Sequence, residues 1–348
     1  MRAVAVVEPG KLELVELKTP SPGPYQALVK TDLAALCNAT DGKLVAGHFP
    51  GVDTYPLILG HESTGIVAAV GEKVRTFRLG DRVIGGLNFA FSDPRYASGW
   101  GGFCDYTLAN DHDAMLADGV ADAEHGWFEV YEIQRPVAAD VPAAEAVLMC
   151  TWREVLGGFG DFALAAGQDI LIFGGGPVGL SFVKFARLLG LGWVGAVDPV
   201  PSKRQRALAL GADAVFAPDD PALAALVSAR GKPLDAVIDA VGNPACINAG
   251  LPLLKLGGTL GVYGVLAEPQ LVLNKAMGPY NFNLCVHQWP TRWRERLAQP
   301  VLEEHLRRGQ LKAAEFVTHE FPVERIAEAL AAVRQGDVIK CLLRFSNG

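Results

Sequence analysis

The sequence predicts an α/β fold in two parts, a β-rich N-terminal region followed by a doubly wound parallel sheet. Three observations carry this. Short apolar runs separated by Pro and Gly clusters fill the first third of the chain. From Asp169 onward apolar strand candidates alternate with helical stretches, the pattern of βαβ units. A Gly-rich turn, Gly174-Gly175-Gly176-Pro177-Val178-Gly179, stands where the first of those strands would pass into its helix.

The elements follow in order. Ala3–Val7, Leu12–Leu17, Gln26–Leu33, Gly65–Val70 and Asp81–Ile84 read as strands, and the cluster Thr19-Pro20-Ser21-Pro22-Gly23-Pro24 reads as a break. Residues 111–138 are rich in Asp, Ala and Glu and read as a long loop or inserted excursion. The second part reads as strand Asp169–Phe173, helix Pro177–Leu189, strand Trp193–Val197, helix Ser202–Leu210, strand Ala214–Phe216 and helix Pro221–Ala229. Strand Ala236–Asp239, helix Ala245–Leu254, strand Thr259–Tyr263 and a short strand within Asn281–His287 follow. The tail holds an amphipathic helix, Val323–Arg334, and a strand over Val338–Phe345.

The 348 residues suffice for two domains. Half the residues are apolar and 20% are charged, which is globular composition. With 31 Lys and Arg against 38 Asp and Glu, the formal charge of −7 argues against nucleic acid as a partner. The longest apolar stretch, Ile170–Val197, is interrupted by Lys184 and Arg187 and rich in glycine, so no membrane partner is expected. The six cysteines form no CxxC pair, and the N-terminus shows no signal peptide, so a cytoplasmic location is expected.

Two motifs carry chemistry. In the Gly-rich turn, Gly176 lets the backbone approach a pyrophosphate and Gly179 lets helix and strand pack closely, while the helix N-terminus faces the anion. Asp198 ends the next strand candidate, 19 residues after Gly179. A carboxylate there accepts bonds from the adenosine ribose and repels a 2′-phosphate, favouring NAD. Asp198 as a helix cap fits the same residues, and Lys203 and Arg204 offer a phosphate two cations. The second motif is Gly60-His61-Glu62-Ser63-Thr64-Gly65-Ile66-Val67-Ala68-Ala69-Val70-Gly71. Cys37, His61 and Cys150 make a three-ligand zinc set with one position open. Two buried structural cysteines fit the sequence as well.

Together with Gly80-Asp81-Arg82-Val83, Gly101-Gly102-Phe103, Asp239-Ala240-Val241-Gly242, Gly257-Gly258 and Val338-Ile339-Lys340, these motifs occur in an order that resembles the zinc-dependent medium-chain dehydrogenase/reductase superfamily. The resemblance covers essentially the whole chain. It implies a GroES-like catalytic domain over 1–153, a Rossmann NAD-binding domain over 154–292, and a C-terminal return to the catalytic domain over 293–348.

The resemblance assigns roles residue by residue. Cys37, His61 and Cys150 match catalytic zinc ligands, with Glu62 the acid beside the ligand histidine and Asp41 a carboxylate that orients ligands. Thr40 resembles the hydroxyl that takes the substrate proton. Lys43 stands where many relatives have a relay histidine, and His48 lies close by in sequence to serve. Lys340 resembles the basic residue at the cofactor pyrophosphate. Gly174, Gly176, Pro177, Val178, Gly179, Asp198, Arg204 and Val241 fall in the cofactor set, and Val262 and Tyr263 fall beside the nicotinamide.

Three departures from the pattern matter. Two residues, Asn38 and Ala39, stand between Cys37 and Thr40-Asp41 where relatives have one. Only Cys104 lies between residues 84 and 149, so the structural zinc lobe is missing and one catalytic zinc is expected. Glu154 is an alternative or auxiliary ligand to Cys150. The implied reaction is hydride transfer from a secondary alcohol to NAD, the zinc acting as Lewis acid. The polar and aromatic residues Asn38, Lys43, His48, Trp100, His287 and Trp289 favour a polyol, cyclitol or sugar derivative. A small-alkanol dehydrogenase and a non-catalytic NAD-binding relative are the alternatives. A homodimer or homotetramer is expected, paired through Asn281–His287.

Overall fold

The computed structural model describes residues 1–37 and 39–345. The chain falls into two compact units, Met1–Cys150 with Gln299–Gly348, and Thr151–Ala298. The boundaries read from the sequence lie at 153/154 and 292/293.

The first unit opens with strands β1 (Arg2–Glu8), β2 (Lys11–Glu16) and β3 (Gln26–Leu36), then the short helix α1 (Asp41–Ala46). Strands β4 (Leu57–Ile58), β5 (Ser63–Val70), β6 (Arg82–Ile84), β7 (Ala97–Ser98) and β8 (Tyr106–Asn110) follow. Helix α2 (His112–Ala117) and strand β9 (Arg135–Pro136) lead to the long helix α3 (Ala143–Asp161), within which the first unit ends. One sheet runs β2-β1-β4-β7. Strands β3 and β1 alternate or bury apolar side chains along most of their length, so Val4, Val6, Ala34, Leu36, Leu57 and Leu59 share one core.

Residues 111–138 correct the expectation of a loop. They hold α2, two single-turn 3-10 helices at Ala123–His125 and Glu129–Ile133, and β9. The physical reason is local capping. The Asp111 carboxylate accepts from Ala114 N at 3.0 Å, starting α2, and also from Arg75 N and Thr76 N. Buried Gln134 ties the far end, accepting from Asn110 N and donating to Gly85 O, each at 2.7 Å.

The second unit has β10 (Ile170–Phe173), α4 (Pro177–Leu188), β11 (Val194–Val197), α5 (Pro201–Ala209), β12 (Ala214–Phe216), α6 (Pro221–Ala224), α7 (Leu226–Arg230), β13 (Leu234–Asp239), α8 (Pro244–Gly250), β14 (Leu254–Val262) and β15 (Asn283–Val286). The helix read over Pro221–Ala229 is thus two, broken at Ala225. All six strands pair in parallel in the order β12-β11-β10-β13-β14-β15. This is the doubly wound order that reverses direction at its first strand, β10. Buried on both faces, β10 and β11 are continuous apolar runs, as are residues 236–238 of β13.

Helix α9 (Arg292–Arg307) carries the chain back into the first unit. Strand β16 (Val317–Pro322), helix α10 (Ile326–Arg334) and strand β17 (Lys340–Arg344) complete it. Strand β17 lies between β16 and β3 in the sheet β16-β17-β3-β5-β6-β9, with β8 also paired to β3. The last strand is therefore structural to the first unit, and Ile326, Ala329 and Leu330 of α10 join its core. Among the described residues, no helix is long and apolar enough to cross a membrane.

Candidate active site

Three strand ends meet in the first unit. Strand β3 ends at Leu36, and Cys37 follows it. Antiparallel β17 sets Cys341 opposite Leu36, which brings Lys340 beside Cys37. Antiparallel β5 sets Ser63 opposite Ala34, and Ala35 N donates to Glu62 O at 2.9 Å, which brings His61 and Glu62 to the same end. Sheet register thus gathers residues far apart in sequence.

The donor atoms of Cys37, His61 and Glu62 all lie within 4.8 Å of one another. His61 Nε2 is 3.8 Å from Glu62 Oε1, and His61 Nδ1 is 3.4 Å from Asp41 Oδ1. Asp41 is fully buried, and its other oxygen accepts from Cys37 N at 2.9 Å. Neither Asp41 Oδ1 nor His61 Nδ1 completes a hydrogen bond, although each is buried. A carboxylate facing Nδ1 presents Nε2 to the cluster, as in metal-ligating histidines. Burial opposes a charge on His61, yet Asp41 and Cys37 outweigh it and hold the imidazole's pKa well above its usual value.

Lys340 is 1% exposed and donates to Glu62 Oε1 at 2.6 Å. Burial disfavours its ammonium, but Glu62 and Cys37 raise its pKa. Lys340, which the resemblance places at the cofactor pyrophosphate, is therefore engaged in the acidic cluster. A thiol, an imidazole and two carboxylates, one of them facing the Lys340 ammonium, form a compact cluster of donors. Sulfur, nitrogen and oxygen donors of this kind suit zinc.

The remaining candidates fall at different distances from this cluster. Thr40 Oγ1 accepts from the Cys37 thiol at 3.8 Å. His48 is exposed in the turn after α1, where its backbone N–H bonds Lys43 O. Asn38 lies outside the described residues. Cys150 is buried on α3 and directs its thiol to Ser63 O at 3.9 Å, beside Glu62, but its sulfur does not join the three clustered donors. Cys104 is buried in the core, where its thiol is pushed up to about 12 by desolvation.

In the second unit the turn after β10 has the shape its sequence requires. A Cβ at Gly179 would stand 1.8 Å from Gly174 O, so only hydrogen fits between helix and strand. At Gly176 nothing lies within 4 Å, and α4 begins there with no side-chain cap. Pro177, which has no N–H, and Val178 open that helix, leaving the other uncapped amides of its first turn in front of an open space, the arrangement that takes a pyrophosphate. Asp198 follows β11 directly and accepts from Gly175 N at 2.7 Å and from Val200 N at 2.8 Å, which fixes its carboxylate at the turn. Arg204 donates to the carbonyls of Asp198 and Pro199, at 2.7 and 2.9 Å. Val241 is half exposed beside Gly174, Val262 is buried, and the Tyr263 hydroxyl donates to Glu154 Oε2 at 3.5 Å.

Asp239 is a residue whose role the sequence did not show. Fully buried at the end of β13, it accepts from Val241 N at 3.2 Å and Gly242 N at 2.9 Å, and its carbonyl accepts from Tyr263 N and Gly264 N. Desolvation pushes its carboxyl up to about 6. The folded value exceeds the unfolded one, so its contribution to stability is full below about pH 4 and is lost as pH rises through 6. A carboxyl carbon titration followed by NMR is expected to show a midpoint near 6 for Asp239. An ordinary midpoint near 4 would contradict the burial argument.

Two family models match the chain. The alcohol dehydrogenase GroES-like domain matches residues 23–119, and the zinc-binding dehydrogenase domain matches residues 177–287. The chain is 30% identical to an alcohol dehydrogenase of Cupriavidus necator, over 99% of this chain and 98% of the relative. It belongs to the zinc-dependent medium-chain alcohol dehydrogenase superfamily. This superfamily member is also 30% identical to an L-threonine 3-dehydrogenase of Symbiobacterium thermophilum, over 99% and 97% of the two chains. Its fold is similar to that of an alcohol dehydrogenase of E. coli CFT073 solved with NADH, at a TM-score of 0.81, 21% identity and 99% coverage of both chains. Membership in the superfamily brings zinc and NAD as cofactors.

Proposed function

We propose that the chain oxidises a secondary alcohol, of polyol, cyclitol or sugar-derivative type, with NAD as acceptor and one zinc ion held by Cys37, His61 and Cys150, Glu62 taking the fourth position until substrate replaces it. The convergence of Cys37, His61 and Glu62 at three strand ends carries this reading. Zinc supplies Lewis acidity, lowering the pKa of a hydroxyl bound to it. Asp41 holds the His61 ring in register, and Lys340 balances Glu62 while the site is empty of substrate. Cys37 would hold the metal as thiolate and would then no longer donate to Thr40 Oγ1, whose hydroxyl would take the substrate hydroxyl proton while passing on its own. His48, exposed after α1, passes that proton to solvent. The open space before α4 takes the cofactor pyrophosphate, Asp198 and Arg204 lie at the ribose end, and Val241, Val262 and Tyr263 line the path towards the nicotinamide.

Polar groups at Thr40, Lys43 and His48 favour a substrate with several hydroxyls, each needing a partner. The chain's 26% identity to a sorbitol dehydrogenase of Bombyx mori points the same way. The zinc-loaded protein should be screened against polyols, cyclitols and short alkanols with NAD and with NADP, read at the NADH absorbance. The expected result is turnover of a polyhydroxy secondary alcohol, with NAD preferred by at least about tenfold. Faster turnover of simple alkanols would replace the substrate class. Tighter binding of NADP than NAD would overturn the role given to Asp198.

Strand β15 ends the six-stranded sheet, and its Leu284 and Val286 are 42% and 49% exposed. An unpaired apolar edge is a liability that pairing with a second copy removes. A dimer, or a tetramer of dimers, is expected by light scattering at micromolar concentration. Leu284→Pro should lower the mass by removing a ladder donor. A monomeric wild-type protein would refute the pairing.

A further inference from the structure

Trp100 has φ +70, a left-handed backbone conformation that a bulky side chain rarely adopts. The surrounding chain holds it there. Asn88, 1% exposed, donates its backbone N–H to Trp100 O at 3.1 Å and its side-chain amide to Gly101 O at 3.1 Å. Ser98 Oγ in turn donates to Asn88 O at 2.7 Å. On the other side, Gly99 N and Gly101 N both donate to Ile58 O, Gly102 N donates to Gly60 O at 2.6 Å, and Phe103 N donates to Leu59 O at 2.8 Å. The loop bearing Trp100 is therefore bonded, residue after residue, to the segment that delivers His61.

The outcome is a ring placed against a ring. The Trp100 and His61 centroids are 5.8 Å apart at 58°, and Phe49 meets Trp100 edge-on at 5.4 Å and 80°. His61 belongs to the donor cluster, so the indole stands at the rim of that cluster with its apolar surface. Strained conformations persist where the fold over-determines them, and such residues concentrate at functional sites.

We infer that Trp100 is a specificity-determining residue whose indole forms a flat apolar wall beside the reacting centre and selects secondary alcohols borne on a six-membered ring over open-chain alcohols. This rests on the function proposed above and narrows its substrate class. A ring lays a continuous face of C–H groups on the indole, while its hydroxyls point to polar partners at the edge. An open chain covers less of the wall and loses more freedom on doing so.

Two readouts test it, one with turnover and one without. The first is the ratio of kcat/KM for cyclohexanol and myo-inositol to that for 2-butanol, with zinc and NAD. The second is saturation-transfer NMR of the same compounds on the zinc-loaded protein, which reports contact of ring protons without any reaction. Trp100→Ala and Trp100→Gly should each lower the ring-to-chain ratio by at least about tenfold and remove the ring-proton transfer, while Trp100→Phe keeps the ratio within about threefold. Trp100→Gly keeps the backbone conformation without strain while losing the packing on Phe49, so melting curves and zinc content of each variant are recorded alongside, and the ratio is read only on protein that is folded and zinc-loaded. An unchanged ratio in Trp100→Gly overturns the inference. So does a wild-type protein that oxidises 2-butanol but neither oxidises nor contacts either ring compound, and the proposed function then stands without it. Ring contact that depends on Trp100, in a protein that oxidises no alcohol, removes the proposed function and with it the selection inferred here.

Discussion

Purified protein is expected to carry one zinc ion per chain, and Cys37→Ala or His61→Ala to lose it together with a factor of about 10³ or more in kcat/KM. The magnitude follows from the several kcal/mol that a Lewis acid contributes to stabilising charge on a reacting oxygen. Cys37 and His61 are the pair that cannot be spared. They supply the sulfur and the nitrogen, and Asp41 is aligned on both, accepting from Cys37 N at 2.9 Å and facing His61 Nδ1 at 3.4 Å. Glu62→Gln and Cys150→Ala separate the other two candidates. If the metal sits among the three clustered donors, Glu62→Gln weakens retention more; if Cys150 swings in, Cys150→Ala does. Elemental analysis of each variant decides it. Two zinc ions per chain, or full retention after both Cys37→Ala and His61→Ala, would refute the single site.

How much of this was legible in the sequence depended on how local each signal was. The six strands of the second unit could be read because each is a short apolar run between turns, and the Gly-rich turn announced itself within six residues. Segment 111–138 was misread because its caps lie at its ends. Asp111 and Gln134 satisfy backbone groups that a polar, Ala-rich composition gives no hint of. The two-residue strands β4, β7 and β9 are held by their neighbours' register and have no pattern of their own. In the site, His61 and Glu62 are adjacent in sequence and were found together. Lys340 stands 278 residues from Glu62, and only the return of β17 against β3 brings it there. The backbone of Trp100 was equally hidden, because its φ is imposed by Asn88 and Ile58 rather than by its own preference.

That return of the last strand sets up the second large effect. Lys340→Met is expected to destabilise the zinc-free protein by about 3–5 kcal/mol, the usual result of removing one partner of a buried ion pair. Lys340 and Glu62 are 1% and 6% exposed at the side chain, so water does little to solvate the carboxylate once the ammonium facing it is gone. The methionine keeps most of the volume, which limits the packing contribution. Removing both charges should recover most of the loss, so Glu62→Gln with Lys340→Met is expected to lie closer to wild type than Lys340→Met alone. The pH dependence has a definite sign. The lysine's folded pKa is raised above its ordinary 10.5, so its contribution is complete at neutral pH and is lost only as pH rises through that higher value. Denaturant midpoints should therefore show a gap between wild type and Lys340→Met that is flat from pH 6 to 9. Zinc should narrow the gap, because a divalent cation at Cys37 and His61 restores positive charge beside Glu62. A gap that zinc leaves untouched would mean that Glu62 does not sense the metal. The ion pair would then be a fixture of the β3–β17 junction, and Glu62 would leave the ligand set.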